Sequence, residues 1–299
     1  MSMTSHAGKR RKAWSVPQII LVIFILLVSL TCVLPFINVA ALSLSSKSAI
    51  LRGDVSFWPV EFEATAYKAI FSDPSMMRSL LFTVVITLVY TAFSMTMTVL
   101  MAYPLTKKRL RGRKFFNVLA LFTMYFSGGT IPIYLNLKEL GLLDTPWSLI
   151  LPAMLSTYNM IILKSFFSAL PGELEEAAII DGANDFQVLV RVYLPLSMAS
   201  LATLTLFYAV GKWNSFQDAL YYITNKAYQP LQLKLYHIIK GSQAVDVAAM
   251  EGGSSTVASN ISESIEPASI IFATLPILVV YPFVQRYFVK GVTIGAIKG

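Results

Sequence analysis

The stretch EEAAIIDGANDFQVLVRVYLP, from Glu175 to Pro195, is too charged and too interrupted to cross a bilayer, yet the chain around it consists mostly of apolar runs. Just upstream, Pro171 favours a helix start, because the N–H that proline lacks would be unpaired in a first turn. The acidic side chains Glu173, Glu175 and Glu176 would then face the positive end of the helix dipole. The sequence therefore predicts that a first short helix begins here.

A turn and a second helix follow within the same stretch. Gly182 suits the left-handed conformation that follows a helix terminus. Asn184 or Asp185 can then cap a second helix that begins near Phe186. Pro195 is expected to mark the point where this second helix gives way to the next apolar run. The segment 171–195 is thus predicted to be a compact, polar helix–turn–helix.

The composition identifies a membrane protein. Of the 299 residues, 56% are hydrophobic and only 13% are charged, with a mean hydropathy of +0.64, far from an ordinary soluble domain. A transmembrane helix needs about 20 mainly apolar residues. Six candidate spans of that length follow one another along the chain: Ile19–Leu42, Leu80–Tyr103, Phe115–Leu135, Trp147–Phe167, Leu196–Trp213 and Ala268–Phe288. The predicted fold class is an all-α membrane protein with six transmembrane helices.

The basic residues indicate how the chain is oriented. They crowd a cytoplasmic tail at 1–18, in the run KRRK, and the short connection at 107–114. Cytoplasmic loops carry such an excess of Lys and Arg, so both termini and the helix–turn–helix are predicted to lie inside the cell. This topology explains the net charge of +8 without a nucleic-acid partner. Residues 19–299 form a single membrane domain, whose largest outer loop is 214–267.

Several polar or flexible positions within the spans are candidates for a substrate path. Gly128 and Gly129, followed by Pro132, interrupt the third span, and such a break either bends a helix along a path or allows close helix packing. Polar residues such as Asn159 either contact a solute or bond to a neighbouring helix. The candidate path residues are Gly128, Gly129, Tyr134, Asn159, Trp213 and Asn214.

The sequence lacks the motifs of an enzyme. It has no GxxxxGK[ST] phosphate loop, no HExxH and no GxSxG, and its two histidines are His6 in a tail and His237 in an outer loop. Cys32 is the only cysteine, which excludes an intrachain disulfide and a thiolate metal cluster. No span carries paired carboxylates for proton coupling. The chain is therefore expected to be a passive conduit, with no cofactor of its own, whose energy comes from a partner.

The first helix of the segment 171–195 fits a protein partner. Leu174, Ala177, Ala178 and Asp181 recur at helical spacing and form a face small enough for close approach. An interfacial membrane helix would instead carry a face rich in Lys and Arg, whereas this helix is acidic. A cytoplasmic protein is the expected partner.

These residues carry a resemblance to a known family. Glu176-Ala177-Ala178, three residues, Gly182, nine residues and Val192-Tyr193-Leu194-Pro195 resemble the EAA motif of ABC importer permeases, with valine in place of the usual isoleucine. The WNSF run at 213–216 and the C-terminal segment from Leu275 are similar to carbohydrate importers of the maltose-type class. GGTIPIYL and YPFVQRYF resemble its subgroup for oligosaccharides and polysaccharide fragments.

The resemblance implies a binding-protein-dependent importer in a bacterial cell membrane. This chain would pair with a second permease, with two copies of a cytoplasmic ATPase that uses ATP and Mg, and with an extracytoplasmic solute-binding lipoprotein. The ATPase-coupling residues would be Glu176, Ala177, Ala178, Asp181, Gly182 and Pro195. A permease for a different small solute, an ion-gradient-driven secondary carrier and a membrane scaffold stay open as alternatives.

Overall fold

The structure is a computed structural model that describes residues 15–250 and 263–296, of which 242–250 and 283–296 are described as backbone only. Within these ranges the regular structure is helical, and the one β-type contact is an isolated bridge between Ser45 and Phe62. The helices are α1 Val16–Ser43, α2 Lys47–Arg52, α3 Thr65–Ser72, α4 Pro74–Thr106, α5 Arg113–Tyr125, α6 Thr130–Glu139, α7 Thr157–Ser168, α8 Gly172–Ile180, α9 Asp185–Val188, α10 Leu194–Leu196, α11 Met198–Asn214, α12 Gln217–Tyr222, α13 Leu231–Met250 and α14 Ile265–Ala296.

Three of these helices are long and apolar enough to cross a membrane: α1, α4 and α14. They contain the predicted first, second and sixth spans. The helix α1 is the most apolar of the three, with a mean hydropathy of 3.0, and most of its side chains are exposed. It packs against α14. An exposed apolar surface of this kind is stable in a bilayer and would be unfavourable in water.

Two further pairs of helices are together long and apolar enough to cross a membrane, but each pair is bent at a short break. The predicted third span is divided between α5 and α6, which meet at 111°, and the helical run Asp185–Leu196 meets α11 at 84°. Gly129 makes the first bend with φ +84° and ψ 172°, a conformation open almost only to glycine. Counting each bent pair as one span gives five.

The predicted fourth span, Trp147–Phe167, is helical only in its second half. A 3₁₀ turn covers Pro146–Leu149, irregular backbone follows, and α7 begins at Thr157. Pro152 accounts for the interruption, because it lacks an N–H and restricts the residue before it. Two tyrosines bond the irregular backbone: Tyr90 Oη donates to the Ala153 carbonyl at 2.8 Å, and the Ser156 N–H donates to Tyr208 Oη at 3.1 Å.

The predicted loop 214–267 contains more helix than its composition suggested. It includes α12, a 3₁₀ turn at Lys226–Tyr228 and the 20-residue helix α13. The polar run at 252–264, which its composition predicts to be either a mobile linker or a contact site, falls almost entirely outside the described residues. The missed helix α13 has an apolar side that contacts α14 and α4, and this tertiary packing, rather than its own composition, favours it.

The helix α4 is central in the bundle and packs against α7 and α11. Small hydroxyl residues on α4 permit the close approach, and Ser94 and Thr98 are fully buried. The Thr98 hydroxyl shares a hydrogen bond of 2.7 Å with Tyr208 Oη on α11. Small and hydroxyl-bearing residues are the usual contacts between membrane helices, where the hydrophobic effect does not drive association.

Gly129 and Gly128 offer a matched pair of substitutions. Gly129→Ala should destabilise the protein by about 1 to 3 kcal/mol, because alanine must then adopt a conformation that only glycine tolerates. Gly128→Ala should be nearly neutral, since its added Cβ would lie 3.8 Å from Pro132 Cβ, an ordinary contact. Thermal unfolding of the two variants in one detergent tests this. Equal melting temperatures would show that the bend does not depend on Gly129.

Candidate coupling site

The segment 171–195, called the coupling loop below, forms the predicted helix–turn–helix. Its first helix, α8, ends in a left-handed turn at Gly182, where φ is +82°. The Gly182 N–H donates to the Ile179 carbonyl at 3.0 Å, and the Ala183 N–H donates to the Ala178 carbonyl at 2.9 Å. These two bonds are those of a Schellman motif. The positive φ expected from the sequence at Gly182 is confirmed.

The second helix of the coupling loop begins at Asp185 with a reciprocal cap. Asn184 accepts from the Gln187 N–H at 2.9 Å, and the Gln187 side chain accepts from the Asn184 N–H at 2.9 Å. The helix ends at Leu196, one residue past Pro195, and meets α11 at 84°, so Pro195 marks the junction with the next helix as expected. A π-helical turn at Leu189–Tyr193 precedes the proline. The π turn accommodates Pro195, because the wider π spacing gives room for a ring that would clash in a regular α-helix.

The residues of the EAA pattern lie mostly at the surface. Glu176, Ala177, Asp181 and Gly182 are exposed, while Ala178 is half-buried and packs against the core that α4 and α7 share. Pro195 is exposed at the far end of the loop. Beside the turn there is a hollow of about 290 Å³, lined by Ala178, Asp181, Gly182, Ala183, Gln187, Arg191 and Val192.

Large apolar side chains project from the same loop. Ile180 is 84% exposed and Phe186 is 67% exposed, and Leu174 and Ile179 are exposed as well. Apolar groups at the tip of an otherwise charged loop are typical of a surface that another protein covers. The coupling loop thus has both a left-handed turn and an exposed apolar rim, formed by Leu174, Ile179, Ile180 and Phe186, at its surface.

One ion pair joins the coupling loop to the end of α4. Lys107 Nζ lies 2.7 Å from Glu175 Oε2, with side chains only 10% and 21% exposed. Tyr193 completes the cluster: its Oη donates to Glu175 at 2.7 Å and accepts from Lys107 Nζ at 3.1 Å. Each of the three side chains in this half-buried group therefore has a polar partner, which offsets the cost of removing two charges from water.

Aromatic rings surround the same ammonium group. Lys107 Nζ lies 4.1 Å from the ring centroid of Tyr103 and 4.2 Å from that of Tyr193. The two rings meet edge to face at 5.0 Å, and Phe167 of α7 packs edge to face against Tyr193 at 5.4 Å. Cation–π attraction is strongest where water is excluded. Lys107 therefore lies between rings of α4 and the π turn, and Phe167 of α7 packs behind them.

The Glu175 carboxyl responds to two opposing influences. Burial raises its pKa, but the hydrogen bonds from Lys107 and Tyr193, together with the charges of Lys107 and Arg109, outweigh burial and hold the pKa below its usual value of 4.5. A second ion pair, between Arg109 and Asp185, fixes the start of α9 to the same connection. Both ties link the coupling loop to residues just beyond α4.

The sequence alone does not identify Glu175 and Lys107 as the residues that join the coupling loop to α4. Glu175 was interpreted only as a partner of the helix dipole, and Lys107 only as part of a basic cluster. Tyr193 occupies the variable position of the V-Y-L-P run, so the pattern drew no attention to it. A signal was present, because Lys107 is the first cation after a long apolar helix and such a cation requires a partner where the helix end is covered.

The candidate path residues do not form one cluster. Gly128, Gly129 and Tyr134 lie at the bend between α5 and α6, and the Tyr134 ring is 6.4 Å from that of Tyr222. Asn159 is buried in α7. Two residues make structural contacts at the end of α11, where Trp213 Nε1 donates to the Ala273 carbonyl at 3.3 Å and Asn214 Nδ2 donates to the Val210 carbonyl at 3.0 Å. A role in a path stays a prediction for all six.

Comparison with known proteins places the chain in one family. Residues 70–294 match the family model described as "Binding-protein-dependent transport system inner membrane component". The chain is 42% identical over 278 residues to the polygalacturonan/rhamnogalacturonan transport system permease protein YtcP of Bacillus subtilis, covering 92% of this chain and 96% of that protein. It is 43% identical to protein LplC of the same organism over 294 residues, covering 98% and 99%.

Solved structures give the same picture. A chain from the crystal structure of a bacterial ABC transporter involved in the import of the acidic polysaccharide alginate superposes with a TM-score of 0.82 at 32% identity, covering 92% of this chain and 99% of that one. A second chain, from an alginate transporter in complex with its pentasaccharide-bound periplasmic protein, has a TM-score of 0.56 at 17% identity. At that identity the second likeness concerns the fold alone.

Neighbouring glutamates test the ion pair. Glu175→Gln should lower the free energy of unfolding by about 1 to 3 kcal/mol, because a charged hydrogen-bond acceptor is lost while Lys107 stays largely buried. Glu176→Gln, a change of the same chemistry at an exposed position, should stay within about 0.5 kcal/mol of wild type. Thermal unfolding in detergent measures both. An equal effect of the two substitutions would show that the Lys107–Glu175 ion pair does not stabilise the contact between the loop and α4.

The same carboxylate predicts a pH dependence. Its pKa is lower in the folded protein than the ordinary 4.5, so the stabilisation is fully present above that value and is lost as pH falls through the lowered pKa. The melting temperature of wild type should exceed that of Glu175→Gln at pH 7, and the difference should shrink as the pH falls below 4.5. A difference that stays constant down to pH 3 would mean that Glu175 does not stabilise the fold as a carboxylate.

Proposed function

The chain belongs to the family of binding-protein-dependent transport system inner membrane components, and from that premise we propose that it is the permease subunit of an importer for acidic oligosaccharides. It is a multi-pass membrane protein and a permease of an ABC sugar importer, as its relatives are. It forms half of the translocation path. The second half comes from a related permease.

The names of two relatives support the substrate class. One relative serves polygalacturonan and rhamnogalacturonan transport, and the other belongs to a transporter of the acidic polysaccharide alginate. Both substrates are polymers that contain uronate sugars, and the chain resembles both proteins over more than nine-tenths of its length. A fragment that carries carboxylates is therefore the expected cargo. A permease for a different small solute is the alternative, while the family gives no support to an ion-gradient carrier or a scaffold.

The proposed topology has six spans with both termini in the cytoplasm. The spans are α1, α4, the bent pair α5 and α6, the segment that ends with α7, α11 and α14. The fourth span combines a 3₁₀ turn, irregular backbone and α7, a combination tolerated at membrane depth where protein groups bond the backbone. With Lys and Arg held inside, the coupling loop lies in the cytoplasm, and α3, α12 and α13 lie on the outer side.

The coupling loop receives the ATPase in this proposal. Its exposed EAA residues and the apolar rim at Ile180 and Phe186 fit a groove on a cytoplasmic subunit. The observation that carries the proposal is the Lys107–Glu175–Tyr193 cluster, which holds the loop against the end of α4. Because α4 is central in the bundle, a push on the loop moves the helix that packs against α7 and α11.

The complete transporter requires partner proteins, because this chain is proposed to catalyse no reaction itself. Two cytoplasmic ATPase subunits bind and split ATP with Mg, and an extracytoplasmic solute-binding lipoprotein delivers the sugar. The complex lies in the bacterial cell membrane, with the lipid bilayer around its spans and no nucleic acid. We expect this chain to bind no cofactor, because it contains no phosphate-cradling motif.

Two glycines with the same backbone strain separate coupling from folding. Gly182 and Gly53 both follow a helix with positive φ, +82° and +74°, and both have open space where a Cβ would be added. Valine at either position costs about 1 to 3 kcal/mol. Gly182→Val should release the ATPase or uncouple it, since Gly182 lies in the coupling loop. Gly53→Val should not affect the ATPase, because Gly53 follows α2 on the proposed outer side.

The measurement is uptake together with co-purification of the ATPase, at matched membrane levels of the two variants. Gly182→Val should abolish uptake, and Gly53→Val should keep both uptake and the bound ATPase. Normal uptake by Gly182→Val would show that the coupling loop is not the mechanical joint. Loss of both functions in Gly53→Val as well would attribute the effect to instability.

A further inference from the structure

A cationic cavity lies away from the coupling loop, where the starts of α4, α13 and α14 meet α3. Its volume is about 710 Å³, and its polar lining residues are Asp73, Ser75, Arg78, Lys226, Gln229, Lys234, His237 and Ser269. Three of these side chains are cations and one is an anion. In the proposed topology the cavity lies at the outer mouth of the permease, because it adjoins the beginning of the second and sixth spans.

The charges in the cavity are only partly balanced. Lys234 Nζ lies 3.6 Å from Asp73 Oδ2 and hydrogen-bonds to Ser75. Arg78 and Lys226 are exposed, and among the residues that the structure describes neither forms an ion pair. The cavity therefore keeps a net positive charge from two long side chains that are free to reach an anion.

An unsatisfied hydroxyl also lines the cavity. Ser269 is 1% exposed, and its Oγ has no hydrogen-bond partner among the described residues. A buried hydroxyl without a partner costs free energy, and such groups are usually paired in folded proteins. In a cavity lined by cations, a hydroxyl that can donate a hydrogen bond is suited to an oxygen-rich anion.

An apolar surface adjoins the cationic one. A second cavity of about 620 Å³ shares Arg78 with the first and is lined in part by Phe82 and Tyr228. The rings of Phe82 and Tyr228 lie 5.9 Å apart. The 3₁₀ turn at Lys226–Tyr228 separates the two cavities, so Lys226 faces one and Tyr228 the other. Arg78 therefore lies at the boundary between the cationic cavity and this apolar surface.

We propose that this cationic cavity is a binding site for the carboxylate of a uronate sugar at the mouth of the permease. Arg78 and Lys226 supply the charge, and Ser269 and Gln229 supply polar contacts. The proposal rests on the proposed function and deepens it, because it assigns charge selection to this chain. The site would admit fragments with carboxylates in preference to neutral ones.

The experiment uses the assembled transporter in nanodiscs without its solute-binding protein. The probes are a galacturonate trisaccharide and the same trisaccharide with its carboxyls reduced, and affinity is measured by saturation-transfer NMR titration. The double variant Arg78→Gln, Lys226→Gln should bind galacturonate about tenfold more weakly, since two partly exposed charge contacts are lost. Its affinity for the reduced sugar should not change. Ser269→Ala should weaken galacturonate binding to a smaller extent.

The control variant is Lys138→Gln, which removes an exposed cation at the end of α6, outside the cavity. It should bind both sugars as wild type does. Equal galacturonate affinity of the double variant and wild type would overturn the site, as would no galacturonate binding by wild type. A second titration, with the solute-binding protein as ligand, covers the other source of carboxylates: weaker docking of that protein with unchanged sugar affinity would assign the cavity to its acidic side chains and overturn the proposal.

Uptake in cells separates this proposal from the function on which it rests. If wild type and the double variant import galacturonate fragments equally well, with unchanged affinity, the binding role assigned to the cavity is wrong. The proposed function then stands. If wild type imports only neutral sugars, the proposed substrate class is wrong, and the direct titration still decides whether the cavity binds a carboxylate.

Discussion

The structure of the coupling loop depends on the need of one buried ammonium group for a partner. Lys107 follows an apolar helix of 33 residues and is nearly enclosed by two tyrosine rings and a carboxylate. An isolated charge in such a place would cost several kcal/mol. The Glu175 carboxylate and the Tyr193 hydroxyl remove that cost only when the coupling loop is folded against α4. The charge of Lys107 thus ties the position of the coupling loop to the end of the membrane helix α4.

The same logic governs the irregular backbone within the membrane domain. Tyr90 and Tyr208 bond the segment between the 3₁₀ turn and α7, and Lys212 Nζ donates to the Leu149 carbonyl at 2.6 Å. All three side chains come from α4 or α11. Backbone groups that no helix satisfies are thus bonded by side chains of α4 and α11, which pack against each other. Non-helical backbone occurs here because its neighbours supply the hydrogen bonds.

Local rules predicted the coupling loop well and the spans less well. Gly182 and Asn184 act through contacts within a few residues, so their left-handed turn and cap could be predicted from the sequence. The π turn before Pro195 could not be predicted, because it depends on the packing of Tyr193 against Lys107 and Phe167. Likewise, the run Trp147–Phe167 is apolar enough for a span, yet Pro152 and tyrosines distant in sequence determine its path. The helix α13 was missed for the same reason, since its partners are α4 and α14.

In the proposed transporter, the coupling loop and the end of α4 move as one body when the ATPase closes. This joint movement can be measured by double electron–electron resonance with spin labels at Glu173→Cys in α8 and Arg111→Cys beyond α4, both exposed positions, in a Cys32→Ser background. The distance distribution in the assembled transporter should be the same without nucleotide and with ATP trapped. A shift larger than the width of the distribution would show that the loop moves independently of α4, and would contradict the account.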